Sequence, residues 1–141
     1  MAGKIAAEIR EQVRQRANLL CEYCHTNERW QYVRFTVDHI VPNGDSSPEN
    51  LALACFHCNR RKSDKTEAVD PETNELVEIY NPRRHFWKIH FNWAADGLRI
   101  IPLTSIGRAT AALLELNRER ILFIRQADVV VSRHPPIDDL D

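Results

Sequence analysis

"VDHIVPNGDSSPENLALACFHCNRRK", residues 37–62, is the stretch on which the reading of this chain turns. Upstream, "WQYVRFTV" (30–37) is rich in aromatic and β-branched residues and predicts a strand, with Phe35 and Val37 on one side. That strand ends in an adjacent carboxylate and imidazole, Asp38 and His39, followed at once by Pro42-Asn43-Gly44. The polar loop through Asn50 is dense in turn formers, and "LALAC" then predicts a second short strand returning antiparallel. From Phe56 the chain has no Gly or Pro for ten residues and predicts the start of a helix.

Working outward, the cysteines of this segment have a counterpart. Cys55-Phe-His-Cys58 is matched by Cys21-Glu-Tyr-Cys24, and these four are all the cysteines of the chain. Two C-x-x-C knuckles can deliver four thiolates tetrahedrally to one zinc, because each turn presents both sulfurs on one side. A site closed by four sulfurs leaves no position for water or substrate, so its role is structural. Disulfides are the alternative, and a reducing compartment disfavours them. Residues 25–54 separate the knuckles, a longer gap than in common zinc ribbons, so they must hold structure of their own. His25 and His57 flank the knuckles but are not needed as ligands.

The whole chain sets wider bounds. Its 141 residues suit one domain with a sizeable core, and 43% hydrophobic with 28% charged residues is ordinary globular composition. No apolar run approaches the ~20 residues of a membrane span, and the first residues are too charged for a signal peptide. The expected location is cytoplasmic, with no membrane partner. The net charge of −1 averages unlike regions: Arg60, Arg61, Lys62 and Lys65 cluster against Asp64, whereas residues 66–78 hold five acids and no base. A local basic patch on a neutral total is compatible with a phosphate backbone as partner, although such a run can also merely solvate a helix face.

Around the central segment, Ile5, Ile9, Val13, Ala17 and Leu20 recur at helical spacing and predict an amphipathic helix over residues 3–20. Asp96-Gly97 between two apolar runs predicts a hairpin. Thr104 can cap one long final helix carrying Ile106, Ala109, Leu113, Leu116, Ile121 and Ile124, with the acidic tail after it frayed. Trp87, His90 and Trp93 are expected to pack this second half. The fold class is α+β.

Taken in order, Asp38-His39, Asn50-Leu51 and Cys55-x-x-Cys58-Asn59 resemble an HNH endonuclease of the ββα-metal (His-Me finger) superfamily in its four-cysteine form. The resemblance covers about residues 17–65. More weakly, residues 76–132 are similar to the extension that follows the nuclease core in bacterial and cyanobacterial HNH proteins. The resemblance implies a ββα core, His39 as general base, Asp38 and Asn59 as ligands of a catalytic Mg²⁺ or Mn²⁺, and Asn50 as the residue that ties the loop and orients the base. Amide oxygen at Asn59, where many relatives have His, favours Mg²⁺ over softer metals. The residue types suit phosphodiester hydrolysis: imidazole is a base near pH 7, and a hard cation can take charge on phosphate and leaving oxygen.

Adjacent strand residues point to opposite faces, so Asp38 and His39 can serve one centre only if the strand end bends or the metal sits to one side. The resemblance also implies DNA as partner, bound with little sequence preference through Arg60, Arg61, Lys62 and Lys65. A concerted double-strand cut would need two sites, hence a homodimer, or two successive nicks. The rival reading is a non-catalytic zinc-dependent module that binds nucleic acid or protein on the same scaffold.

Overall fold

The computed structural model describes residues 5–140. The chain forms two compact units, one built on the chain up to Thr66 together with Asn81–His85, the other on Glu67–Tyr80 and the chain from Phe86 onward. In chain order the elements are α1 (Ala7–Arg16), β1 (Thr36–His39), β2 (Leu51–Ala54), α2 (Phe56–Lys62), β3 (Glu67–Val69), β4 (Leu76–Glu78), α3 (Trp87–His90), β5 (Phe91–Trp93), β6 (Ile100–Pro102), α4 (Ser105–Leu114) and α5 (Glu119–Val130). This is an α+β arrangement, with three two-stranded antiparallel sheets among the described residues.

In the first unit β1 and β2 pair antiparallel with Asp38 opposite Ala52 and His39 opposite Leu51. The apolar side of α1 and the residues flanking it lie on this ribbon: Ile5, just before the helix, and Val13 join Val37, Leu51 and Leu53 in one buried cluster, with Ile9, Ala17 and Phe35 at its margin. Burying such side chains is the main favourable term in folding, about 25 cal/mol per Å² of apolar surface. The helix stops at Arg16, short of the expected Leu20, because Asn18 and Leu19 turn to positive φ (53° and 59°) and Leu20 bridges Asn27. The strand expected at residues 30–37 is displaced to 36–39. Glu28–Trp30 wind into a 3-10 turn instead, and the Glu28 carboxylate accepts the Phe35 N–H at 2.6 Å, so pairing begins only after Phe35.

In the second unit α4 packs on β3, β4 and β6. Thr104 caps α4 as expected, its hydroxyl accepting the Gly107 N–H at 3.0 Å. Gly107 is required there, since a Cβ would lie 2.3 Å from the carbonyl oxygen of His90. The expected hairpin is present, its turn held by Asp96 accepting the Leu98 N–H at 2.9 Å with Gly97 at φ 76°. Its first apolar run is split, however: Trp87–His90 form the helical turn α3. Trp87, His90 and Trp93 are buried, as the sequence suggests, and Trp87 stacks at 5.3 Å from Phe91 and 5.8 Å from Trp93.

The single long C-terminal helix is corrected to two helices. Glu115 takes a left-handed conformation (φ 49°) that ends α4, which frees Asn117 to bond the hairpin, accepting from Ile100 N at 2.7 Å and donating to Ile100 O at 2.8 Å. Arg125 of α5 locks the break by donating to Leu116 O and Leu98 O, each at 2.8 Å. The described part of the acidic tail is not frayed. Asp139 accepts from the indole N–H of Trp93 at 3.0 Å, and Lys88 donates to the carbonyl of Asp138 at 3.1 Å. Among the described residues no helix is long and apolar enough to cross a membrane.

Candidate functional site

The four cysteines converge. All are buried, with their sulfurs within 4.8 Å of one another, and Cys24 Sγ lies 3.8 Å from Cys55 Sγ. Four thiolates at Zn–S distances near 2.3 Å stand about 3.8 Å apart, so the cluster fits a tetrahedral zinc. Each knuckle is also organised by its backbone: Cys24 N–H donates to Cys21 Sγ (3.5 Å) and Cys58 N–H to Cys55 Sγ (3.3 Å). The second of these caps α2, so the same turn that offers thiolates begins the helix.

Burial raises the Cys21 thiol, whereas Cys24 is held low by hydrogen bonds from Cys21, Cys55 and Cys58, with the Thr26 hydroxyl 3.1 Å from its sulfur. Burial and the neighbouring thiols raise Cys58 as well, so Cys24 is the thiol of the cluster that gives up its proton most readily. His25 and His57 are half-buried beside it and stand outside the sulfur set.

Glu22, between the first pair of cysteines, joins the knuckle to the sheet. Its backbone N–H donates to Leu53 O at 2.8 Å and its carboxylate accepts the Leu53 N–H at 2.8 Å. The same carboxylate pairs with Arg83, whose guanidinium is brought down to about 10 by burial, with Arg16 adding repulsion. Arg83 is thus a strut of the first unit, and it is poorly placed as a free phosphate contact.

Asn50 sits where the loop between β1 and β2 closes. Its side chain accepts the Val41 N–H (3.0 Å) and donates to Val41 O (3.2 Å) and Asp45 O (2.9 Å), while its backbone carbonyl accepts the Ile40 N–H (2.8 Å). These bonds reach Ile40 and Val41, one and two residues past His39. Arg16 of α1 secures the far side of the loop by donating to Pro48 O and Leu51 O at 2.9 and 2.7 Å. Gly44 fits beneath Asn50, since a Cβ there would lie 2.6 Å from Asn50 Nδ2 and 2.9 Å from Val41 O.

Asp38 and His39 meet different neighbours, as their alternation along β1 requires. His39 Nε2 shares a hydrogen bond with Ser46 Oγ at 3.0 Å, which fixes the ring against the loop. Asp38 faces α2, where Lys62 Nζ lies 3.1 Å from its Oδ2 and donates to the carbonyl of His39, also at 3.1 Å. One ammonium thereby touches both residues. Asn59 lies one turn before Lys62 on α2, its carbonyl accepting the Ser63 N–H at 3.0 Å. Burial raises the Asp38 carboxyl despite the opposing pull of Lys62, and Oδ2 makes no well-directed hydrogen bond. Asp38 Oδ2 is thus a buried carboxylate oxygen whose charged neighbour is the Lys62 ammonium, and a carboxylate oxygen is the donor type a hard cation takes.

The four basic candidates do not share one role. Arg60, Arg61 and Lys65 are exposed, but Lys62 is 1% exposed and committed to Asp38 and His39. Its assignment to phosphate contact is corrected: a buried ammonium stays with its carboxylate, because separation would leave two uncompensated charges. Lys65 lies beyond α2, which ends at Ser63 with φ 52°. Ser46 and Lys62 are the residues sequence reasoning misplaced or missed. The helical interval of three from Asn59 to Lys62 was the available signal for the second, and Ser46 in a polar loop carried none.

Residues 19–65 match the family model described as HNH endonuclease. The match makes this third of the chain similar to HNH endonucleases, and it includes all four cysteines, which cluster as in a zinc site. No curated protein and no solved structure matches the chain.

Proposed function

We propose that this protein is a metal-dependent endonuclease that hydrolyses DNA phosphodiester bonds, leaving 5′-phosphate and 3′-hydroxyl ends. The observation that carries the reading is the Asp38 carboxylate facing α2, the helix of Asn59, with His39 next to it, inside a segment of nuclease type. Asp38 and Asn59 would hold Mg²⁺ or Mn²⁺, which when bound neutralises charge on the scissile phosphate and the leaving oxygen. His39 takes the proton of the attacking water. Because Nε2 is engaged by Ser46, Nδ1 is the nitrogen assigned to that task. Asn50 keeps the loop, and hence Ser46 and the imidazole, in one position.

Exposed Arg60, Arg61 and Lys65 position the phosphate backbone without reading sequence. A zinc held by Cys21, Cys24, Cys55 and Cys58 serves structure. Cutting of both strands follows from two copies acting as a homodimer or from successive nicks.

The test is nicking of supercoiled plasmid at low salt by zinc-loaded protein with Mg²⁺, Mn²⁺ or EDTA, beside His39→Ala. Metal-dependent nicking lost in the variant is the expected result. Intact plasmid, with single-stranded DNA and RNA also intact, would overturn the reading if the protein is folded.

One observation favours a second reading, a non-catalytic zinc-dependent module. Lys62 already supplies Asp38 with a positive charge, so the carboxylate has a partner without a divalent ion. That reading expects no Mg²⁺ or Mn²⁺ binding by titration calorimetry.

A further inference from the structure

The segment entering β1 is built differently from an ordinary surface loop. Its base is closed by one buried carboxylate: Glu28 accepts from the Arg14 guanidinium on both oxygens, and its Oε2 takes both Arg14 (2.7 Å) and the Phe35 N–H (2.6 Å). Asn27 adds a turn at the entry, accepting the Arg29 N–H at 2.9 Å on its side chain and the Trp30 N–H at 3.2 Å on its carbonyl. Between these anchors, residues 29–34 present Arg29, Trp30, Tyr32, Val33 and Arg34 as exposed side chains. Tyr32 is 104% exposed, so its ring packs against nothing. Three exposed apolar side chains, Trp30, Tyr32 and Val33, fall within four residues of one pinned loop, a grouping of the kind that marks an interaction surface where a lone exposed ring would not.

Charge decides which partner. From Arg29 to Val37 there are two arginines and no acid, and the neighbouring Glu28 is neutralised by Arg14. Guanidinium groups flanking an exposed ring are the combination that holds a nucleic-acid strand, phosphates on the cations and a base on the ring. A base inside a continuous duplex is already stacked on both faces, so the ring can be used only where bases are unpaired. Tyr32 lies six residues before Asp38, within roughly 20 Å of extended chain, or about six base steps.

Resting on the nuclease reading for the position of the cut, we infer that residues 29–34 form a stacking platform for unpaired bases. The preferred substrate is then DNA with a flap, bulge or single-stranded stretch beside the scissile bond.

The experiment measures anisotropy of two fluorescein-labelled DNAs at low salt in buffer without Mg²⁺, Mn²⁺ or chelator, a continuous duplex and the same duplex bearing an unpaired flap. Zinc-loaded wild type, Tyr32→Ala and Tyr32→Phe are compared. Wild type should bind the flap more tightly. Tyr32→Ala should lose roughly 5- to 100-fold on the flap, with under about twofold change on the duplex, and Tyr32→Phe should bind as wild type because the ring suffices. Equal effects on both DNAs, or none on the flap, would overturn the platform, even if wild type cuts plasmid. Conversely, Tyr32-dependent flap binding by a protein that cuts nothing would leave the platform standing and remove the nuclease.

Discussion

Lys62 Nζ stands 3.1 Å from Asp38 Oδ2, with the lysine 1% exposed and the aspartate side chain 13% exposed. A pair this dry is costly to break one-sidedly, because the residue left behind keeps an uncompensated charge. Lys62→Met should therefore destabilise the protein by about 2–4 kcal/mol, read from urea unfolding. If Asp38 is also a metal ligand, added Mg²⁺ should raise the melting temperature of the variant more than that of wild type. Equal response to Mg²⁺ in both would count against Asp38 as a ligand.

The sulfur cluster makes a stoichiometric prediction. Elemental analysis of protein purified without chelator should give one zinc per chain, and titration with an organomercurial should release it in step with four thiols. Cys24→Ser should abolish stoichiometric retention and melt α2 and the β1–β2 ribbon, seen as loss of hydrogen-exchange protection there. Retained zinc in that variant would point to His25 or His57 as a substitute ligand.

Gly44→Ala tests the loop. The added methyl would enter to 2.6 Å from Asn50 Nδ2, so the amide must shift and give up its bond to Asp45 or Val41. A cost of about 1–3 kcal/mol follows from a displaced polar group, with nicking falling at least tenfold if the loop holds Ser46 and His39 in place. Unchanged nicking together with the stability loss would show that the loop has slack.

Asp70 in the second unit gives a pH dependence with a definite sign. Hydrogen bonds from Arg108 at 3.0 and 2.8 Å, with Glu72 N–H and Thr73 adding to them, hold its carboxyl down to about 2. The unfolded chain titrates near ~3.9, so the stabilisation is fully present above that value and is lost as pH falls toward about 2. Asp70→Asn should melt below wild type at pH 6, and the gap should close between pH 4 and 2. A gap constant with pH would mean that packing, and not the ion pair, explains the loss.

Much of the first unit was legible because its signals are local or periodic. Ile5, Ile9 and Val13, at and before α1, and Phe35 and Val37, at the start of β1, meet in one cluster as their spacing implies. The two knuckles and the antiparallel return through Leu51–Ala54 were readable for the same reason. What was not legible depends on partners distant in sequence. Glu28 is an unremarked acid until Arg14 and Phe35 fold against it, and that contact moves the start of β1. Asn117 lies inside a helical pattern, but its bonds to Ile100 outweigh continuation of the helix. Lys62 belongs by composition to a basic run and by geometry to Asp38.

The crowding of tasks onto α2 governs how this protein tolerates change. Within seven residues the helix supplies Cys58 to the sulfur cluster and Lys62 to the pairing with Asp38, with Asn59, the proposed metal ligand, between them. A shift of register by one residue, as from a single insertion, would disturb all three together. A random library across α2 should therefore show free substitution at Phe56 and Arg60, which are exposed, and sharp intolerance at Cys58 and Lys62. Variation in this helix would be confined to its outer face, leaving adaptation to new substrates to surfaces such as the Tyr32 loop.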